Sequence, residues 1–169
     1  MTTIAHRIVL ADTPEMRSAE LAVRWEVFVV EQGVPLVLEM DARDQREDVD
    51  HLVALPEKWR SGDPVLGCVR IIPDGVGEDG RTHVHLGRLA VRREARGTGL
   101  GAALVRAVHQ RVADLTPCGR EALVVLDAQV QAQGFYEALG YRTTTGEVFL
   151  DAGIEHREMA LVVPGRSGH

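Results

Sequence analysis

Residues Arg96-Gly97-Thr98-Gly99-Leu100-Gly101 follow an apolar run at 86–91 and open a stretch with Leu100, Leu104, Val105, Val108, Val112 and Leu115 at helical spacing. A glycine-rich turn between a strand and a helix N-terminus leaves several backbone N–H groups without partners and points them one way. The helix dipole adds partial positive charge there, so the turn suits an anion, most often a phosphate. Glycine permits positive φ and lets a ligand approach the backbone without a Cβ in the way. A strand, this turn and a helix form a unit that demands a second, parallel strand, here the apolar run 123–128.

Three phosphate loops compete for this stretch. A Walker A loop needs Lys-Ser or Lys-Thr after its last glycine, and Ala102-Ala103 stands there instead. A dinucleotide loop needs Gly-x-Gly-x-x-Gly and an acidic residue after a second strand; here Gly97, Gly99 and Gly101 alternate, and Glu121 precedes the next strand. The third pattern, Arg/Gln-x-x-Gly-x-Gly/Ala, is met by Arg96, Gly99 and Gly101. It resembles the pyrophosphate loop of the GNAT N-acetyltransferase superfamily, which binds acetyl-CoA. A tight turn without ligand is the bland alternative.

The flanks extend the resemblance. Leu86-Gly87-Arg88-Leu89-Ala90-Val91 is similar to the GNAT strand that bulges and splays before the loop. About 35 residues after the loop, Gly134-Phe135-Tyr136-Glu137-Ala138-Leu139-Gly140-Tyr141 resembles the helix whose tyrosine sits near the thioester sulfur. Arg24-Trp25-Glu26-Val27-Phe28-Val29-Val30-Glu31-Gln32, then Asp41, Asp44 and Asp50-His51-Leu52, resembles the ElaA/YjcF-like branch. The resemblance spans residues 5–162. Many GNAT proteins carry Asn where Asp127 stands, and the branch varies there, which weakens any specific role for that residue.

The resemblance implies an α/β (α+β) GNAT fold, with a mixed, mostly antiparallel sheet of six to seven strands splayed at the acyl-CoA site and flanked by helices. Strand patterns at 4–10, 51–55, 65–72, 84–91, 123–128, 142–149 and 157–163, and helix patterns at 14–30, 99–115 and 130–139, fit that plan. Asp12 with Glu15 reads as a capping box and Gly140 as a left-handed C-terminal cap. One domain is expected over 1–163, with a disordered tail at 164–169.

Bulk properties bound the function. The chain has 169 residues, enough to bury about two-thirds of its unfolded surface, and 45% are apolar. Its net charge of −6 argues against a nucleic-acid partner. There is no apolar run of membrane-spanning length and no signal-peptide pattern, so a cytoplasmic location is expected. Cys68 and Cys118 are too few for a disulfide framework or zinc site. Self-association as a homodimer stays open.

By the resemblance, the backbone of Arg96, Gly97, Thr98, Gly99, Leu100, Gly101 and Ala102 binds the pyrophosphate. Leu89, Ala90 and Val91 pair with the pantetheine arm, and Tyr136 protonates the departing thiolate. On the residues alone, Tyr136 is either that acid or a packing side chain; with Phe135 in the core, it turns to the core's edge. The residues leave the general base open among Glu31, Asp50, His51, His85 and His156. His83 and His85 share a strand face as metal ligands would, but no third ligand accompanies them, and no metal is expected. Residues 31–50 hold seven carboxylates against two arginines, either an acceptor site for a cationic amine or a solvated loop. Two functions follow: direct transfer of an acetyl or other acyl group from its CoA ester to an amine in a ternary complex, or an acyl-CoA-binding regulatory or scaffold module without catalysis.

Overall fold

The computed structural model describes residues 3–168; Met1, Thr2 and His169 lie outside it, and with them the extreme ends of the expected domain and tail. Seven strands form: β1 (His6–Leu10), β2 (Asp50–Pro56), β3 (Gly67–Val76), β4 (Thr82–Val91), β5 (Glu121–Gln129), β6 (Arg142–Asp151) and β7 (Ile154–Pro164). Among the described residues, four α-helices accompany them: α1 (Pro14–Arg24), the single turn α2 (Leu36–Glu39), α3 (Leu100–Leu115) and α4 (Gln133–Ala138). The strands hydrogen-bond in the order β1-β2-β3-β4-β5-β7-β6. β4 and β5 run parallel, whereas β1/β2, β2/β3, β5/β7 and β6/β7 are antiparallel. This is the expected mixed, mostly antiparallel sheet. No described helix is long and apolar enough to cross a membrane.

Close contacts divide the chain into two compact units, one running to Ile71 and including Arg88–Val108, the other containing Ile72–Gly87 and the chain from His109 onward. In the first, Val23 and Val27 pack with Val53, Leu55, Val65, Cys68 and Ala90, all under 9% exposed. Apolar burial of this kind contributes about 1.5–3 kcal/mol for each fully buried aliphatic side chain. Cys68 behaves as a small core hydrophobe, and burial pushes its thiol pKa up. In the second unit, β5 alternates, with Ala122, Val124, Leu126 and Ala128 buried on one face. Met159 of β7, opposite Leu126, is also fully buried.

Several local expectations change. Thr13, not Asp12, caps α1: its hydroxyl accepts from Met16 N at 3.2 Å, and Pro14 opens the first turn. The expected helix at 14–30 is α-helical only to Arg24 and then widens into a π-helix over Trp25–Glu31. There Gln32 N donates five residues back, to Val27 O, at 3.2 Å. The β-branched Val27, Val29 and Val30 disfavour tight α packing in this segment. Leu115, expected on the apolar face of α3, is 61% exposed at the helix end. Gly140 does adopt the left-handed cap, with φ 98°. In the expected tail, Gly165 N donates to Arg120 O at 2.9 Å and Arg166 N to Ala113 O at 2.9 Å.

Candidate functional site

The glycine turn lies in the first unit. After β4, residues Arg93–Ala95 form a short 3-10 turn, and Gly97 and Gly99 take φ of 74° and 86°. Both angles are left-handed, which only glycine adopts without strain. Thr98 Oγ1 donates to Ala95 O at 2.6 Å and closes the turn. Ala103 N is the first helical donor with a partner, Gly99 O at 3.0 Å. Among the described residues, none accepts from the amides of Gly97, Thr98, Gly99, Leu100, Gly101 or Ala102. Arg96 differs, since its own N–H donates to Arg93 O at 3.2 Å. Its guanidinium is also engaged, with Val91 O at 3.0 Å and Glu31 Oε2 at 2.7 Å. A Cβ placed on Gly97 would meet no atom within 4 Å, so the space over the turn is open. Six amides without an acceptor among the described residues, at the start of a 16-residue helix, are the donor pattern that suits an anion.

Leu89, Ala90 and Val91 end β4. Just before them Arg88 has φ 53°, a left-handed conformation costing a non-glycine residue about 1–3 kcal/mol. Its guanidinium is anchored by Glu39 O at 3.1 Å and Leu38 O at 3.2 Å, which holds the strained bulge in place. β4 and β5 pair only from Thr82↔Ala122 to His85↔Val125, although β5 goes on pairing with β7 to Gln129. The strands therefore part after His85, as the resemblance implies.

The acidic segment 31–50 is neither a solvated loop nor an open cation site as a whole. Glu39 and Asp44 are buried, at 4% and 7% exposure, against arginines that are themselves buried. Arg24 donates to Glu39 Oε1 at 2.7 Å and to Asp44 Oδ1 at 2.8 Å, and Arg70 donates to Asp44 Oδ1 at 2.9 Å. Burial opposes Asp44's charge, yet the Arg24 and Arg70 hydrogen bonds hold its carboxyl well below the usual carboxylate range. For Glu39 burial wins, and its pKa is raised despite Arg24 and Arg88. His51 is 6% exposed, with Nδ1 at 3.0 Å from the fully buried Glu20. Asp50 opens β2 opposite Ile71. The sequence reading missed Glu20, Arg24, Arg70 and Arg88 as partners, although an arginine inside the apolar run 65–72 was the available signal.

The other titratable cluster lies in the second unit. His85 Nε2 sits 3.6 Å from Asp127 Oδ2, both side chains about one-third exposed. Asp127 faces Glu158 directly across the β5/β7 ladder. Burial first, then Glu158 and Asp151, push Asp127's pKa up, while His85 and His156 pull against it. His156 Nδ1 lies 2.7 Å from Ile154 O, and its ring stacks on Phe149 at 5.9 Å between centroids. His83 turns to Asp79 at 3.0 Å. Only the strand register reveals that His85 and Asp127 share a face.

Tyr136 reverses its expected orientation. It is 8% exposed and packs edge-on to Tyr141 at 5.8 Å, while Phe135 is the one turned outward, at 36%. Burial pushes the phenol up to about 12, so it keeps its proton throughout the neutral range.

Comparison with known proteins agrees with this layout. Residues 42–163 match the acetyltransferase (GNAT) domain family. A Bacillus subtilis (strain 168) protein named uncharacterized N-acetyltransferase YjcF is 33% identical over 154 residues, 90% of this chain and 97% of that one. The crystal structure of an acyl-CoA N-acyltransferase from Pseudomonas aeruginosa matches with TM-score 0.73 and 33% identity, over 92% of this chain and 99% of that one. Escherichia coli ElaA matches with TM-score 0.72 and 28% identity, over 94% and 99% of the two chains. The chain thus belongs to the GNAT acetyltransferase family, in keeping with the ElaA/YjcF-like branch.

Proposed function

We propose that this protein transfers an acetyl group from acetyl-CoA to an amine by direct attack in a ternary complex. The observation that carries the reading is the row of six unpartnered amides from Gly97 to Ala102. These donors, with the α3 dipole behind them, suit the pyrophosphate of a CoA ester. The backbone of Leu89, Ala90 and Val91, beyond the Arg88 bulge, is assigned to the pantetheine amides. The P. aeruginosa neighbour, named an acyl-CoA N-acyltransferase, supports a CoA donor.

Tyr136 is assigned as the proton donor to the departing sulfur. With the phenol raised to about 12, full transfer to a free thiolate near 8.5 is uphill by about 5 kcal/mol. Tyr136 therefore acts by sharing its proton as the C–S bond breaks, and recovers one from the nitrogen as that becomes an amide. The acceptor amine is cationic before it reacts, and Asp127 with Glu158 provides negative charge to attract it.

Calorimetry with coenzyme A tests the loop. Gly99→Glu places a side chain and a negative charge at a left-handed position within the cradle, and binding should be lost in a protein that still folds. Retained affinity would overturn the loop assignment. Free-thiol release from acetyl-CoA with a panel of amines then distinguishes an enzyme from a CoA-binding module. In that assay Tyr136→Phe should lower turnover about ten- to a thousandfold with affinity for coenzyme A unchanged.

A further inference from the structure

We propose that His85 is the general base that takes a proton from the acceptor ammonium, and that Asp127 is the residue that positions it. This inference rests on the acyltransferase reading above. His85 is the last β4 residue paired to β5, so it stands where the two strands part. Asp127 lies two residues beyond its pairing partner Val125, on the same face, and places a carboxylate oxygen 3.6 Å from Nε2. At 3.6 Å the carboxylate is at ion-pair rather than hydrogen-bond distance, and its charge favours the tautomer with the proton on Nε2, which leaves the lone pair on Nδ1. The imidazole is about one-third exposed, accessible to a substrate yet oriented.

The other basic groups are committed elsewhere. Glu31 is bound to Arg96 at 2.7 Å. His51 is buried against Glu20, and His156 has Nδ1 at Ile154 O and its ring against Phe149. His83 faces Asp79. Of the candidate histidines His51, His85 and His156, only His85 combines a carboxylate neighbour with a side chain about one-third in solvent; the other two are buried.

The proton and electron count closes. Nδ1 of His85 takes one proton from the ammonium, and the freed nitrogen pair forms the C–N bond at the acetyl carbonyl. The C–S bond breaks with its pair on sulfur, which receives the Tyr136 proton. The proton that nitrogen sheds as it becomes an amide returns to Tyr136. His85 releases its proton to water, so one proton is liberated for each ammonium consumed. Besides His85 itself, Glu158, Asp151 and His156 are the charged and titratable groups that act on Asp127.

The test compares two nucleophiles, putrescine, protonated at neutral pH, and hydroxylamine, which is largely unprotonated there. His85→Gln should lower kcat/KM for putrescine by about 10²–10⁴ and remove the acid limb of its pH profile. Its rate with hydroxylamine and its affinity for coenzyme A should stay close to wild type. Asp127→Asn should produce a smaller loss in the same direction. Equal losses with both nucleophiles, or an unchanged putrescine rate, would overturn the base assignment.

Nitrogen NMR of the histidine rings gives a readout independent of turnover. With Asp127 present, the His85 ring should carry its proton on Nε2, and Asp127→Asn should raise the share of the Nδ1–H form. An Nδ1–H tautomer in the wild type, or a tautomer ratio indifferent to residue 127, would overturn the dyad. A wild-type protein that binds no coenzyme A would instead refute the acyltransferase reading, with the NMR result still deciding whether the dyad exists.

Discussion

Two clusters of carboxylates in this protein have opposite surroundings. Around Arg24 in the first unit, Glu39 and Asp44 meet guanidinium groups at 2.7–3.0 Å and are closed off from water. Around Asp127 in the second, the carboxylate has imidazole and carboxylate neighbours and one-third of its side chain in solvent. A guanidinium stays charged at any physiological pH and gives bidentate geometry, so the first arrangement is permanent and structural. An imidazole exchanges protons near neutrality, so the second can do chemistry. Carboxylate density along the sequence does not separate these cases, but the identity of the partners does.

The largest expected effect comes from making one substitution in both places. Asp44→Asn removes the charge that neutralises Arg24 and Arg70, each 2% exposed or less. Breaking a buried pair in this way costs about 3–5 kcal/mol, so the variant should unfold at markedly lower denaturant. Asp127→Asn should leave the denaturation midpoint nearly unchanged and reduce acyl transfer instead. If the two variants lost stability equally, the division into structural and chemical clusters would fail.

Acid should separate the clusters next. Asp44's folded pKa is depressed, so its stabilising contribution is present above the unfolded carboxylate value and is lost only as pH falls through the lower folded one. Glu39's is raised, so it takes up its proton first, and that protonation favours the folded state. Asp44's contribution should therefore erode gradually once pH falls below the ordinary carboxylate value, and the fold should give way only in stronger acid. Asp127's pKa is raised, by burial first, so on acidification its charge is lost before Asp44's, and activity should fall while the circular dichroism is still native. Coincident loss of activity and structure would show that one cluster governs both.

What was legible in the sequence follows the same division. All seven strands and α3 announce themselves by alternation or helical periodicity, and the glycine turn by residue spacing, because these signals are local. Burial of Glu39 and Asp44 is not local: it depends on Arg24 and Arg70, which reach them from α1 and β3. The swap of Phe135 and Tyr136 arises because α4 is only six residues long and has too little periodicity to fix its inward face. Thr13 and Asp12 are both good capping types, so only the backbone could choose between them. The four-residue α2 has no periodicity to read.

The smallest effect is expected at the exposed end of the acidic segment. Asp48 pairs with Arg46 at 2.6 Å, but both side chains are open to solvent. Glu47 is exposed as well. Water screens such charges, and a surface pair adds little to stability. If the segment attracted a cationic acceptor by its summed charge, replacing Glu47 and Asp48 with Gln and Asn would raise the acceptor KM. That rise would shrink as salt shortens the screening length to about 8 Å at physiological ionic strength. With Glu39, Asp41 and Asp44 already paired to arginines, little net negative field is left for these two residues to reinforce. The double variant should therefore keep the wild-type melting temperature and the same acceptor KM at low and physiological salt. A salt-sensitive rise in that KM would restore the segment as an acceptor-steering surface and move the recognition of the amine away from Asp127.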